Sequence, residues 1–118
     1  MIIHLKTKYL DEDAEVAFAK YPYSQKVAIR LNSLRSWAAP LGEPLAVASV
    51  NIEGPLEPRE IAIKDYSEGE GMLAALIAAG IVEDTGVALA SGYVSTPIAR
   101  LTDTALTEAK RQGVVITE

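Results

Sequence analysis

The sequence predicts an α+β fold: a mostly antiparallel, curved sheet with one main helix, about residues 68–79, packed on one face, and a short C-terminal helix. Three observations predict it. Segments such as Lys26 to Leu31 alternate apolar and polar residues with the two-residue period of half-buried strands. A single stretch from Ser67 to Gly80 carries both a helix start signal and helical apolar spacing. Finally, 118 residues with 49% hydrophobic and 23% charged content match one self-sufficient globular domain spanning 1–118.

The elements follow in order. Ile2 to Lys6 is short and apolar, an opening strand. Asp11-Glu12-Asp13-Ala14-Glu15 reads as a solvated loop or helix turn, and it lacks the glycine and terminal glutamate that an EF-hand loop needs. Val27, Ile29 and Leu31 alternate with Lys26, Ala28 and Arg30, giving a strand. Pro40, Gly42 and Pro44 punctuate a loop. Leu45 to Ile52 has apolar or small residues on both faces, which suits the sheet interior. Ile61 to Lys64 is another alternating strand. Ser67 and Glu70 have capping-box spacing, and Glu68 and Glu70 suit the positive end of a helix dipole. Leu73, Leu76 and Ile77 are helically spaced, alanines 74, 75, 78 and 79 favour helix, and Gly80 ends it. Asp84-Thr85-Gly86 reads as a turn. Tyr93 to Leu101 reads as a strand in which Pro97 marks an edge or bulge. Thr102 or Asp103 caps a second helix, Ala105 to Gln112, which ends at Gly113, and the tail adds an edge strand or frays.

Composition removes several function classes. The chain has no cysteine, which excludes disulfides, thiolate zinc sites, iron–sulfur clusters and cysteine nucleophiles. Its one histidine, His4, lies in an apolar strand, where a surface role fits better than a ligand or base. The net charge of −5 opposes generic nucleic-acid binding, which runs on cationic counterion release. The longest apolar run, Met72 to Val82, is too short for the ~18–20 residues of a membrane span. The first residues lack a basic leader and a cleavage site, so a cytoplasmic location is expected.

No catalytic set is legible. Ser91-Gly92 and Ser95 do not form a nucleophile elbow. Gly69 and Gly71 lack the lysine and spacing of a phosphate loop, and Glu68 and Glu70 would repel a phosphate. Nothing shows which carboxylates converge. The expectation is a protein that is not an enzyme and has no cofactor or metal.

One constellation suggests a ligand. Three expected strands end alike, in Val27-Ala28-Ile29-Arg30, Ile61-Ala62-Ile63-Lys64 and Pro97-Ile98-Ala99-Arg100. If these strands are neighbours, Arg30, Lys64 and Arg100 share the non-core face and build an anion site suited to a nucleotide. Tyr93 and Trp37 are the aromatic candidates beside them, and Tyr21-Pro22-Tyr23 is a further aromatic feature. The competing reading pairs the cations with Glu53, Glu60 or Asp65, or leaves them solvated.

Residues 26–101 also carry a familiar pattern: Lys64-Asp65-Tyr66-Ser67-Glu68-Gly69-Glu70-Gly71, then Gly80-Ile81-Val82-Glu83-Asp84-Thr85-Gly86, then Ser91-Gly92-Tyr93-Val94. Leu31, Gly42, Glu43, Pro44 and Asn51 fit its earlier part. The chain thereby resembles a bacterial family of small proteins of unknown function found in phages, plasmids and actinobacterial or gut genomes. The Asp11 to Glu15 run and the tail after Thr102 lie outside the pattern. The resemblance implies a mobile-element accessory protein that counters host immunity. The expected function is sequestration of a nucleotide-derived signal by a homo-oligomer through Arg30, Lys64, Arg100, Tyr93 and Trp37. The alternative is a protein–protein inhibitor of a host defence complex, and a weaker one is a small hydrolase of such a signal.

Overall fold

An N-terminal hairpin sets the architecture. In the computed structural model, which describes residues 1–34, 44–52 and 54–116, β1 (Ile2–Lys6) pairs antiparallel with β2 (Asp11–Lys20). The turn closes at Thr7, whose N–H donates to the Leu10 carbonyl at 2.8 Å and whose hydroxyl accepts from the Leu10 N–H at 3.1 Å. Next come β3 (Val27–Ser33) and β4 (Pro44–Val47), completing a four-stranded sheet in the order β1-β2-β3-β4. A second sheet holds β5 (Glu60–Ala62), β6 (Val82–Ser91) and β7 (Val94–Leu101) in the order β5-β7-β6.

The sheets join at one point. An antiparallel bridge pairs Ser49 with Ile63, flanked by Val50 N–H to Ala62 carbonyl at 3.0 Å and Lys64 N–H to Ala48 carbonyl at 2.8 Å. Among the described residues the joined sheet therefore has β1 and β6 as its two outer strands. Helix α1 (Met72–Ala78) packs against both of them. A second helix, α2 (Asp103–Arg111), packs on β2 and β7 through the buried Ala105 and Ala109, whose small side chains allow close approach. Thr102 caps α2 by accepting the Ala105 N–H at 3.2 Å, as its sequence position predicts.

Alternation decides what is buried. Ile3, Leu5, Val16, Phe18, Val27, Ile29 and Leu31 turn inward and meet Leu76, Ile81, Ala99 and Leu101 in one core. β5 and β7 bury both faces. Ile61 and Ile63 face that core, while Ala62 and Ile98 pack with Ile52 on the opposite side, beside Val50 and Leu56. Among the described residues, no helix is long and apolar enough to cross a membrane.

Several local expectations are corrected. The Asp11 to Glu15 run is strand, not loop or helix turn. Ala14 is buried while Asp11, Asp13 and Glu15 point outward; Asp13 and Asp11 are tolerated because His4 and Lys6 stand opposite them on β1, while Glu15 faces Ile2. Asp84-Thr85-Gly86 is not a turn but a bulge inside β6, where the register against β7 shifts between Asp84 and Val87. The expected helical span divides into a 3₁₀ turn at Ser67–Gly69 and α1 from Met72. The Ser67–Glu70 capping box does not form. Instead the Asp65 carboxylate accepts the N–H groups of Gly71 at 3.1 Å and Leu73 at 3.0 Å, while Glu70 pairs with Lys8. Pro97 lies in β7, the middle strand of its sheet, where β5 ends. It has no N–H for the Ile63 carbonyl, which accepts from Asp65 N–H at 3.0 Å instead, and the chain leaves the sheet there.

One side chain extends the β-ladder where β1 runs out. Gln112 accepts the Phe18 N–H at 2.9 Å and donates to the Val16 carbonyl at 2.8 Å, so its amide imitates a missing peptide group beside β2. Glu108 holds Gln112 in place at 2.8 Å and also binds the N-terminal amine at 3.2 Å. These partners, with Arg111, hold the Glu108 carboxyl well below the usual carboxylate range. Gln112→Leu should strand both backbone groups and cost about 2–3 kcal/mol. Thermal unfolding should then drop by roughly 6–15 °C, and an unchanged melting temperature would contradict this role.

Candidate functional site: a groove between β1 and α1

The candidate site is an open groove of about 500 Å³ between β1 and α1. One wall is β1, with Ile2, His4 and Lys6 outermost; the other is α1, with Ala74, Ala78 and Ala79. Its origin is an edge left unpaired. The register matches Ile2 to Glu15, and the Val16 N–H donates to the Met1 carbonyl at 2.9 Å. Ladder alternation then turns the peptide groups of Ile3 and Leu5 toward β2 and those of Ile2, His4 and Lys6 toward the groove. Met1, Ile3 and Leu5 thus complete the sheet, and among the described residues nothing pairs with the outward donors and acceptors of the other three.

Helix α1 faces that edge but does not fill the space. Leu76 and Ala75 are buried beneath it, whereas Ala74 and Ala78 are exposed. Alanines at i and i+4 lie one above the other, so this wall is flat and shallow. At the Thr7 end the groove is closed by the segment entering α1. The Lys8 N–H donates to the Glu70 carbonyl at 2.9 Å, and a Cβ at Gly71 would lie 3.2 Å from the Thr7 Cα. Gly71 also has φ +97, so glycine suits both its conformation and its neighbours.

Charge on the outer face of β1 is arranged as a clamp. His4 Nδ1 lies 2.9 Å from Asp13 Oδ1, and its Nε2 lies 2.6 Å from Asp11 Oδ1. Lys6 reaches Asp11 at 3.2 Å. Hydrogen bonds donated to Asp13 and then Asp11 raise the His4 pKa above the ordinary imidazole value, and those accepted from His4 and Lys6 lower that of Asp11. A raised histidine pKa contributes stability below its unfolded value, and this contribution is lost as pH rises through the folded value. A lowered aspartate contributes above its unfolded value, and this is lost as pH falls through the folded value. The clamp is thus strongest between the lowered Asp11 value and the raised His4 value. NMR titration should show the His4 ring protonating above pH ~6.5, and Asp13→Asn should bring it down. A wild-type ring titrating at or below that value would contradict the clamp.

Among the described residues, the sequence-predicted site residues do not line this groove. Arg30 is exposed in the middle of β3, with Ala17 and Val47 as its cross-strand neighbours. Lys64 follows β5 and is paired with the Glu68 carboxylate, which raises its pKa. Arg100 is exposed on β7, in register with Glu60 on one side and Glu83 on the other. It lies level with one end of β5 while Lys64 follows the other end, about 13 Å away at strand rise. Lys64 and Arg100 line different clefts that share no residue, and Arg30 lines neither. These clefts do not bring the three cations together. Arg30 and Arg100 are exposed on β3 and β7, with β4 and β5 lying between these strands, and Lys64 follows the end of β5. Tyr93 is fully exposed at the tip of the β6–β7 hairpin. Trp37 lies outside the described residues.

The groove residues were missed because outer-edge position is a property of strand order, which no local pattern carries. The alanine quartet was visible in the sequence, but as helix propensity rather than as a wall. No family model, curated protein or solved structure matches the chain.

Proposed function

We propose that the protein is a non-enzymatic binding module that takes up an extended segment of a partner protein on the free edge of β1. The observation that carries this reading is the unpaired row of peptide groups at Ile2, His4 and Lys6, facing an alanine wall across an open groove. Such an edge accepts a strand through main-chain hydrogen bonds, and pockets for alternate side chains then set specificity. The half-exposed Ile2 and the alanines favour a segment with apolar residues at alternate positions. No nucleophile or general base is needed for this role. The resemblance to mobile-element accessory proteins supplies a context in which the segment belongs to a host defence protein. Nucleotide sequestration needs Arg30, Lys64 and Arg100 to converge, and Lys64 and Arg100 line different clefts.

Selection of random displayed peptides on the immobilised protein tests the reading. The expected result is a linear motif with alternating apolar positions, lost when Ala78→Trp fills the groove and kept when Arg30→Glu or Arg100→Glu is introduced. Binders that ignore Ala78→Trp, or nucleotide binding that is lost in both charge variants, would overturn it.

A further inference from the structure

The opposite outer strand carries a different feature. On the β5 side the pairing with β7 ends at Pro97, whose carbonyl accepts the Ile63 N–H at 3.0 Å, so Leu89–Ser91 and Val94–Thr96 run on as a two-stranded arm whose base, at Leu89 and the buried Thr96, is packed. The turn at its tip has two residues, and Gly92 at φ +63 occupies its first central position. Ser91 and Val94 therefore exchange backbone hydrogen bonds, and alternation assigns the Val87 and Leu89 peptide groups to β7. Those of Ala88 and Ala90 point to the free edge of β6. From Gly86 to Ala99 the chain has no charged residue, although the whole protein carries −5. Val87 is half exposed and Tyr93 fully exposed. Edge strands are ordinarily blunted by charge, proline or a bulge; in β6 the charges and the bulge are confined to Glu83–Gly86, and the half from Val87 to Ser91 has none of these.

We propose that the free edge of β6 pairs antiparallel with the same edge of a second copy, forming a twofold dimer through Ala88 and Ala90. Two observations select a second copy as the occupant. Net-negative copies repel wherever they meet through charged surface, and this arm is a long uncharged stretch that ends at an edge. An antiparallel edge is also self-complementary about a twofold axis, so one sequence supplies both sides and the interface closes. Pairing extends the two strands of the arm to four across the axis. This interface lies on β6 and is independent of the β1 groove.

Sedimentation of the full chain, wild type and variants, across the micromolar range tests the proposal. Wild type should be a dimer. Ala88→Pro, which removes an outward N–H without touching the β7 ladder, and Ala90→Lys, which places like charges across the axis, should each raise the dimer Kd at least ~10-fold. Ala90→Lys keeps the test decisive if the proline variant does not fold. His4→Pro, on the other outer strand, should leave the dimer intact. A monomeric wild type, a dimer indifferent to Ala90→Lys, or a dimer broken by His4→Pro would each overturn the proposal. Peptide binding in the β1 groove is read separately and need not follow.

Discussion

Leu76→Ala should destabilise the protein by about 3–5 kcal/mol, the upper range for truncating a core leucine. Leu76 is fully buried and belongs to the core shared by β1, β3, β6 and β7. It is also the residue through which α1 is held between the two outer strands, since the Ile81 N–H donates to its carbonyl at 3.0 Å as the chain leaves for β6. The sheets on either side are fixed to each other by the Ser49–Ile63 bridge, so they are poorly able to collapse into the cavity. The melting temperature should fall by roughly 10–20 °C. Ile77→Ala, one residue away but partly exposed, should cost less than ~1.5 kcal/mol. Equal losses at the two positions would contradict the orientation of α1.

The second large effect concerns binding with the fold left intact. His4→Pro removes the central outward N–H of the β1 edge, while the ladder to β2 runs through Ile3 and Leu5. A peptide that binds wild type should bind this variant roughly 10–100-fold more weakly, the worth of one or two enclosed main-chain hydrogen bonds. His4→Ala keeps the N–H and should bind within a few-fold of wild type, which separates the backbone from the imidazole. Ala78→Trp should abolish binding by occupying the groove, and because Ala78 is exposed the thermal stability should hold. If His4→Ala were as damaging as His4→Pro, the side-chain clamp and not the strand edge would be the binding element.

The contrast between what could be read and what could not follows from where the information lies. β3 was legible because Val27, Ile29 and Leu31 all face one core, and α2 because Thr102 and Gly113 mark its ends. β2 was hidden by its acids, which mask the inward Ala14, Val16 and Phe18 until His4 and Lys6 are placed opposite them. β6 as a whole was hidden, since Asp84-Thr85-Gly86 has turn composition but serves to shift register inside the strand. α1 was found, but its cap was assigned to Ser67 and Glu70, whereas Asp65 reaches it across the 3₁₀ turn. The candidate site was illegible for a deeper reason. Local alternation predicts which way Arg30, Lys64 and Arg100 point, yet strand order determines whether they meet and which strands have free edges.

The most direct test of the strand-edge account is amide hydrogen exchange at single-residue resolution along β1, with and without a groove-binding peptide. In the free protein the Ile3 and Leu5 amides should be protected by β2 while those of His4 and Lys6 exchange quickly. Adding the peptide should slow His4 and Lys6 and leave the exposed hairpin tip at Tyr93 unchanged. If the His4 and Lys6 amides are already protected in the free protein, or stay fast while the peptide is bound, β1 does not accept a strand and the account is wrong.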